Sequence, residues 1–230
     1  MSEMKLYALD IETVSQGKRA IDYTNNDKYK APVNIKDPAK IAANIELQKA
    51  KASTKHGLYW WTGKVVSIAI VDVFGDEEDQ VFYGHNEEEI LRATCCALKG
   101  NCKVIGMTSK NFDFPFLVGR FMANLLSVPP VLKRRYSALD VNDFFGISAS
   151  SGQRGKLDNY AHGIVYAGKP DNMDGSKVQS LYDTIVQAEM DKDDVAVKAG
   201  WMQLRKYNLH DSNVVKAIAT LYYRDITEVE

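Results

Sequence analysis

The feature that most constrains the fold is an apolar run near the start of the chain that carries two carboxylates, Leu6-Tyr-Ala-Leu-Asp-Ile-Glu-Thr-Val14. The run predicts a strand over Lys5 to Ile11, and residues two apart on a strand point to the same face. Asp10 and Glu12 are therefore expected side by side, where repulsion and burial disfavour their charged forms. A cation that prefers oxygen ligands, Mg²⁺ or Mn²⁺, would keep both ionised. The alternative is a solvated strand end with two ordinary surface acids.

A further acidic position lies in the middle of the chain. The stretch from Val104 to Arg120 indicates a short strand, a polar turn and then a helix that begins at Phe112 and Asp113 and runs toward Leu126. A carboxylate at a helix start is favoured by the helix dipole and caps free N–H groups. Capping is enough to explain Asp113 taken alone.

A third segment, Lys206 to Tyr222, has the apolar periodicity of a packed amphipathic helix. Tyr207 and Asp211 are four residues apart, so both project from one face of that helix. The simple interpretation is an aromatic residue at the edge of the core and an acid on the helix surface.

In this order, Asp-x-Glu on a first strand, Phe-Asp at a helix start and Tyr-x-x-x-Asp on a late helix resemble the DEDD superfamily of 3′–5′ exonucleases. The tyrosine of the third motif is typical of the DEDDy branch. Within that branch the chain is most similar to predicted exonucleases related to the proofreading domains of family-B DNA polymerases. The resemblance extends from Leu6 to about Tyr222.

The resemblance implies a catalytic set for phosphodiester hydrolysis, made up of Asp10, Glu12, Asp113, Tyr207 and Asp211. The four carboxylates would hold two divalent cations, Mg²⁺ or Mn²⁺, roughly 3.5–4 Å apart. Asp10 would bridge both ions, Glu12 and Asp211 would hold mainly the first, and Asp113 would act partly through water. Tyr207 would orient the attacking water, because a phenol with a pKa near 10 is a poor base at neutral pH.

Two positions limit the resemblance. Many relatives carry an asparagine four residues before the phenylalanine of the second motif, where this chain has Thr108, so no substrate-positioning role is assigned to it. His210 lies beside the third motif and is an alternative base. The histidine branch needs an aspartate five residues later, where this chain has Val215, and Tyr207 is therefore favoured.

The order of elements predicts an α/β fold, a ribonuclease-H-like mixed five-stranded sheet flanked by helices. Strands are expected at 5–11, 64–73, 80–83 and 103–105, and helices at 86–98, 113–126, 155–165, 178–190 and 206–224. With 230 residues and 45% hydrophobic content, the chain is expected to form a single exonuclease domain over residues 1–230.

A basic helical insertion, residues 21–61, separates the first two strands. It contains more lysines than acids, has a helix start at Asp37-Pro38 and ends in Tyr59-Trp60-Trp61. One hypothesis is a channel for single-stranded nucleic acid, with Lys49 and Lys51 on phosphates and an aromatic ring on a base. The alternative is a solvated helix packed on the sheet, with the tryptophans in the core.

Two more positions are candidate contacts to nucleic acid. Phe112 lies beside the second motif, and Arg135 lies in the basic stretch Lys133-Arg-Arg-Tyr136. An ordinary solvated loop explains the basic stretch equally.

Composition limits the classes of partner and compartment. The net charge of −1 gives no global signal for nucleic acid, so binding would depend on a local basic surface. The cysteines, Cys95, Cys96 and Cys102, lack metal-ligand spacing and a disulfide framework. The N-terminal residues lack a signal-peptide profile, and no apolar run approaches the roughly 20 residues that span a bilayer. We therefore expect a soluble cytoplasmic protein with no membrane association.

The expected function is 3′–5′ exonucleolytic hydrolysis of single-stranded DNA with release of nucleoside 5′-monophosphates, for proofreading, repair or DNA processing. A separate DNA polymerase is a possible partner. Two alternatives stay open: an exoribonuclease that trims RNA 3′ ends, and a non-catalytic nucleic-acid-binding or polymerase-accessory protein. Contacts to the 2′-hydroxyl decide between DNA and RNA, and the sequence does not reveal them.

Overall fold

A mixed five-stranded sheet forms the centre of the computed structural model, which describes residues 4–17, 29–53, 55–75, 77–133, 137–146, 156–165, 168 and 173–224, without the side chains of 50–53. The strands are β1 (Lys5–Ser15), β2 (Gly63–Asp72), β3 (Gln80–Tyr83), β4 (Cys102–Gly106) and β5 (Ala138–Asp140). Their order is β3-β2-β1-β4-β5. β1 pairs antiparallel with β2 and parallel with β4, β2 pairs antiparallel with β3, and β4 pairs parallel with β5. The predicted ribonuclease-H-like α/β architecture is confirmed.

The described residues also form eight α-helices, most of which flank this sheet on its two faces. They are α1 (Pro38–Ser53), α2 (Glu87–Ala97), α3 (Asp113–Ala123), α4 (Pro130–Lys133), α5 (Val141–Phe144), α6 (Leu157–Tyr160), α7 (Val178–Met190) and α8 (Asp194–Tyr223). α8 begins at Asp194, well before the predicted start at residue 206, because the Asp193 side chain accepts a hydrogen bond from the Ala196 N–H and caps it there. Within the described residues, every helix is too short or too polar to span a bilayer.

The two faces of β1 pack into different parts of the core. Leu9 and Ile11 belong to the cluster that β1 and β2 form with α2 and α3. Ala8 packs in the cluster with α8, and Val14 packs in the cluster with α7 and α8. Because side chains alternate along a strand, Asp10 and Glu12 lie on the α8 side of the sheet. The continuous apolar run of β2 follows from the same arrangement, since helices cover both of its faces.

The inserted segment between β1 and β2 contains the predicted helix, α1. The Asp37 carboxylate accepts hydrogen bonds from the N–H groups of Ala39 and Lys40 at 2.8 and 3.3 Å, as a capping residue does. Every described side chain of α1 is exposed or half-buried, so the helix does not pack firmly on the sheet. Trp60 and Trp61 are 41% and 42% exposed. The alternative that placed these tryptophans in the core is therefore wrong.

Candidate metal centre

The second half of β1 has no β4 partner and lies beside the start of α3. β4 pairs with β1 only as far as Ala8, opposite Ile105, while β1 continues to Ser15. α3 begins a few residues after β4, so Asp113 lies near the carboxyl end of β4, beside the part of β1 that carries Asp10. Ligand sites of α/β proteins form at the carboxyl ends of parallel strands for this topological reason.

Three of the predicted ligands meet here. Asp10, Glu12 and Asp211 each offer one carboxylate oxygen, and these oxygens lie within 4.8 Å of one another. Glu12 and Asp211 are buried and Asp10 is half-buried, so the alternative of a solvated strand end is wrong. Grouped and buried carboxylates repel one another unless a positive charge neutralises them. Oxygen-only donors at this spacing could hold a metal ion, and they suit a hard divalent cation.

Asp10 has the most unfavourable electrostatic position of the three. Burial raises the pKa of its carboxyl well above the ordinary value, and the charges of Glu12, Asp113 and Asp211 raise it further. A hydrogen bond from Asn208 Nδ2 to Asp10 Oδ2, at 2.7 Å, lowers this pKa in part. Within the described part of the chain, the charges that act on this carboxylate are those of other acids.

Asp113 is buried next to this group but is not one of its three members. Its carboxylate accepts hydrogen bonds from its own backbone N–H and from the N–H of Ile11, which lies between the two acids of β1. Burial nevertheless raises the pKa of Asp113 to about 7, and the charge of Asp140 contributes to the increase. The cap residue of α3 is Phe112, and it makes no side-chain cap hydrogen bond. The hydrogen bond from Ile11 instead ties Asp113 and the start of α3 directly to β1.

Tyr207 and Asp211 lie on one face of α8, as their spacing predicts. The Tyr207 hydroxyl donates a hydrogen bond to Asp211. Gly175 lies close to the same hydroxyl, since a Cβ added to it would be in van der Waals contact with the hydroxyl oxygen at 4.0 Å. Burial raises the pKa of Tyr207 well above 10, and the charges of Glu12, Asp211 and Asp10 raise it further. Tyr207 therefore keeps its proton at neutral pH and donates it in the hydrogen bond to Asp211.

Two polar residues of this centre were not predicted from the sequence. Asn208 is fully buried and binds Asp10, and its Oδ1 accepts a hydrogen bond of 2.6 Å from Ser67 Oγ. Ser67 pairs with Glu12 across the β1–β2 ladder. Two signals in the sequence could have found them: Asn208 lies three residues before Asp211 on the same helix, and Ser67 interrupts the apolar run of β2.

The remaining predicted residues are not members of the grouped carboxylates, and some lie outside the described residues. Phe112 is half-buried, and its ring centroid lies 5.5 Å from that of Phe116. Lys49 Nζ lies 3.0 Å from Glu46 Oε1 on the preceding turn of α1. The side chain of Lys51 and all of Arg135 lie outside the described residues. His210, the alternative base, lines a surface depression of about 710 Å³ formed by α8 alone, away from Asp10 and Glu12.

No protein-family model matches the chain. No curated protein matches it either. Among solved structures, the chain is similar to the family B DNA polymerase from the hyperthermophilic archaeon Pyrobaculum calidifontis, with 16% sequence identity and a TM-score of 0.55. The match covers 95% of this chain and 24% of the polymerase chain, so this chain spans about a quarter of that protein's length. At such low identity the similarity shows a shared fold.

Proposed function

We propose that this protein is a metal-dependent 3′–5′ exonuclease that acts on single-stranded DNA. The observation that carries the proposal is the convergence of Asp10, Glu12 and Asp211 from distant parts of the chain, with Asp113 and Tyr207 beside them. The similarity to a family B DNA polymerase supports the same conclusion. Proofreading, repair or DNA processing would suit such an activity, and proofreading would require a separate polymerase as a partner.

The carboxylates Asp10, Glu12, Asp113 and Asp211 would hold two divalent cations, Mg²⁺ or Mn²⁺. When bound, such a pair of cations supplies charge stabilisation to the attacking and leaving oxygens of an in-line phosphoryl displacement. The protein's own contribution is a fixed arrangement of donors. Asn208 orients the Asp10 carboxylate, and Ser67 orients the Asn208 amide in turn. Outer hydrogen bonds of this kind hold ligands in the geometry that binding requires.

Tyr207 has a role in this proposal that follows from its protonation. A hydroxyl that keeps its proton can donate a hydrogen bond to Asp211 in the resting state. The same hydroxyl can orient a water molecule when substrate is present. Since its raised pKa excludes it as a base, removal of the hydroxyl should slow turnover without preventing metal binding.

The test is hydrolysis of two 5′-labelled single-stranded oligonucleotides, one DNA and one RNA, with Mg²⁺ or Mn²⁺. We expect a ladder that shortens from the 3′ end, is abolished by EDTA and by Asp10→Ala, and is produced faster from DNA. Asp79→Ala, which removes an exposed acid outside the centre, serves as the matched control and should keep full activity.

The other outcomes of this assay decide between the alternatives. Faster shortening of the RNA would identify an exoribonuclease with the same centre. Binding of either strand without metal-dependent shortening, and unchanged in Asp10→Ala, would identify a non-catalytic binding protein. Shortening by wild type and Asp10→Ala alike would mean that the activity does not come from this site.

A further inference from the structure

An exposed group of aromatic rings lies just before β2. Tyr59, Trp60 and Trp61 are 40%, 41% and 42% exposed, although tryptophan is usually among the most buried side chains. The rings of Tyr59 and Trp61 are stacked, with centroids 4.9 Å apart and planes 20° apart, and Trp60 meets Trp61 edge to face. We call these three residues the aromatic platform. A contiguous exposed patch of this kind is typical of a binding surface.

The aromatic platform is held in place by its backbone. The carbonyl oxygen of Tyr59 accepts hydrogen bonds from the N–H groups of Thr62 and Gly63, at 3.0 and 2.7 Å. The carbonyl oxygen of Trp60 accepts one from Arg120 Nη1 at 2.8 Å. Trp60 also packs directly on Gly119 of α3, where an added Cβ would lie 2.5 Å from the indole ring. Rings fixed in this way lose little conformational freedom when they bind a ligand.

Two connections place the aromatic platform near the candidate metal centre. Thr13, the residue after Glu12, donates a hydrogen bond of 2.6 Å to the carbonyl oxygen of Gly57, just before the platform. On the other side, Gly119 lies six residues along α3 from Asp113, which is about 9 Å of helix. The platform and the carboxylates are therefore linked by one strand and by less than two turns of one helix.

The charge of the surrounding segment favours a polyanion. Residues 29–61 contain six lysines and two acids, in a chain whose net charge is −1. The lysines are Lys30, Lys36, Lys40, Lys49, Lys51 and Lys55. Aromatic faces beside a positively charged segment match the two chemical features of a single nucleic-acid strand, unpaired bases and phosphates. A purely apolar protein partner would gain nothing from the lysines.

We propose that the aromatic platform stacks on an unpaired base of the single strand whose 3′ end lies at the carboxylates. This inference rests on the proposed function and extends it, because it assigns a substrate contact outside the catalytic residues. Trp61 and Tyr59 are the stacking rings, and Trp60 positions them through its contact with Gly119. Stacking on a π-face does not depend on base identity, so the platform accepts any sequence.

The test measures the affinity of the protein for a single-stranded oligonucleotide by fluorescence anisotropy in EDTA, which stops turnover. Trp61→Leu retains apolar surface and removes the aromatic face, so Kd should increase about 5- to 140-fold, the range for loss of one base–aromatic stack. Trp61→Phe should restore most of the affinity. Phe74→Leu is the matched control, since Phe74 is 59% exposed and follows the opposite end of β2, and it should leave Kd unchanged.

A second oligonucleotide separates stacking from phosphate contact. An abasic strand of equal length has the same charge but no bases. Wild type should bind it more weakly than the normal strand, and Trp61→Leu should bind it with the same affinity as wild type. Equal affinity of wild type and Trp61→Leu for the normal strand would overturn the proposal. An equal loss of affinity of Trp61→Leu for the abasic strand would also overturn the proposal, because the substitution would then have damaged the structure and not a contact with a base.

The hydrolysis assay distinguishes failure of this inference from failure of the proposed function. If wild type shortens DNA with metal and Trp61→Leu binds normally, only the platform assignment is wrong. If wild type neither binds a single strand nor hydrolyses one, both proposals are wrong. Tyr59→Leu provides an independent second variant if Trp61→Leu fails to fold.

Discussion

Asp10 is a residue at which function and stability oppose each other. In the metal-free protein its carboxylate is surrounded by Glu12, Asp113 and Asp211, and its pKa is raised by burial and by their charges. Asp10→Asn removes the charge and preserves the shape, and the new amide oxygen can still accept the hydrogen bond from Asn208. Active-site residues often reduce stability in this way.

We therefore predict that Asp10→Asn stabilises the metal-free protein at pH 8. A gain of about 1–2 kcal/mol corresponds to an increase in Tm of roughly 2–8 °C for a chain of this size. Thermal unfolding in EDTA measures it, with Asp79→Asn as a control that removes an exposed charge. A lower Tm for Asp10→Asn than for wild type would contradict the prediction.

Thr108 adopts a backbone conformation that its side chain disfavours. Its φ is +58°, and a β-branched residue in the left-handed region is strained by about 1–2 kcal/mol. Its N–H donates to Asp140 Oδ1 at 3.2 Å, which holds the loop before α3 in this shape. Asparagine tolerates positive φ better than threonine does, so this backbone conformation favours asparagine over threonine at position 108.

Thr108→Asn is accordingly predicted to raise the free energy of unfolding by about 1 kcal/mol. Leu125→Asn should act in the same direction, because Leu125 has a φ of +55° and is 95% exposed. Lys99→Asn, at an exposed position outside the positive-φ region, is the control and should give no gain. Urea unfolding measures all three, and no gain at Thr108 would mean that the loop relaxes its strain by other contacts.

At the scale of elements, a buried ion pair joins α2, α3 and β2. Arg120 donates from Nε and Nη2 to the two carboxylate oxygens of Glu87 at 2.8 and 2.6 Å. Glu87 also accepts from the Val65 N–H and from Asn124 Nδ2. Both charges of the pair are nearly inaccessible, so the loss of one partner leaves an unpaired charge in the core.

Arg120→Met is predicted to cost roughly 3–5 kcal/mol of stability, and the double variant Glu87→Gln/Arg120→Met should recover part of that loss. Arg92→Met, on α2, provides the control, since the pair of Arg92 with Glu88 is exposed and is expected to contribute less than about 1 kcal/mol. Urea unfolding of the four proteins forms the comparison. Equal losses of unfolding free energy in Arg120→Met and Arg92→Met would contradict the prediction.

Local patterns were enough to predict the elements that carry the candidate site. The apolar run around Asp10 and the spacing of Tyr207 and Asp211 have a period that each element imposes, so β1 and the relevant face of α8 followed from sequence alone. The helix expected over residues 86–98 is present as α2, and the Asn86 side chain caps its start by accepting from the Glu89 N–H. The assignment of roles to these residues came from the resemblance and stays a prediction.

The structural features that could not be predicted from the sequence depend on contacts between residues that are far apart in the chain. The position of Trp60 depends on its contact with Gly119 and on the hydrogen bond from Arg120, and no local pattern encodes those contacts. The partnership of Asn208 with Asp10 joins residues 198 positions apart. The short strand β5 is recognised only by its pairing with β4, since three residues carry too little periodicity.

At the scale of the whole molecule, the grouped carboxylates of the centre couple stability to pH. Asp113 has an ordinary pKa of 3.8 that the fold raises to about 7, chiefly by burial. The folded metal-free protein therefore binds a proton more tightly than the unfolded chain. The stabilisation is fully present below about pH 4 and is lost as pH rises through about 7, because stability falls with pH wherever the folded state holds more protons.

We predict that the Tm of the protein in EDTA decreases between pH 5 and pH 8, and that Asp113→Asn makes this decrease smaller. Mg²⁺ or Mn²⁺ should raise the Tm more at pH 8 than at pH 5, because ligands bind metal in their deprotonated form and binding only to the folded state is stabilising. Thermal unfolding at four pH values, with and without metal, measures both effects. A Tm in EDTA that rises with pH, or a metal effect that is equal at pH 5 and pH 8, would show that these carboxylates are not titrating as a metal-binding group.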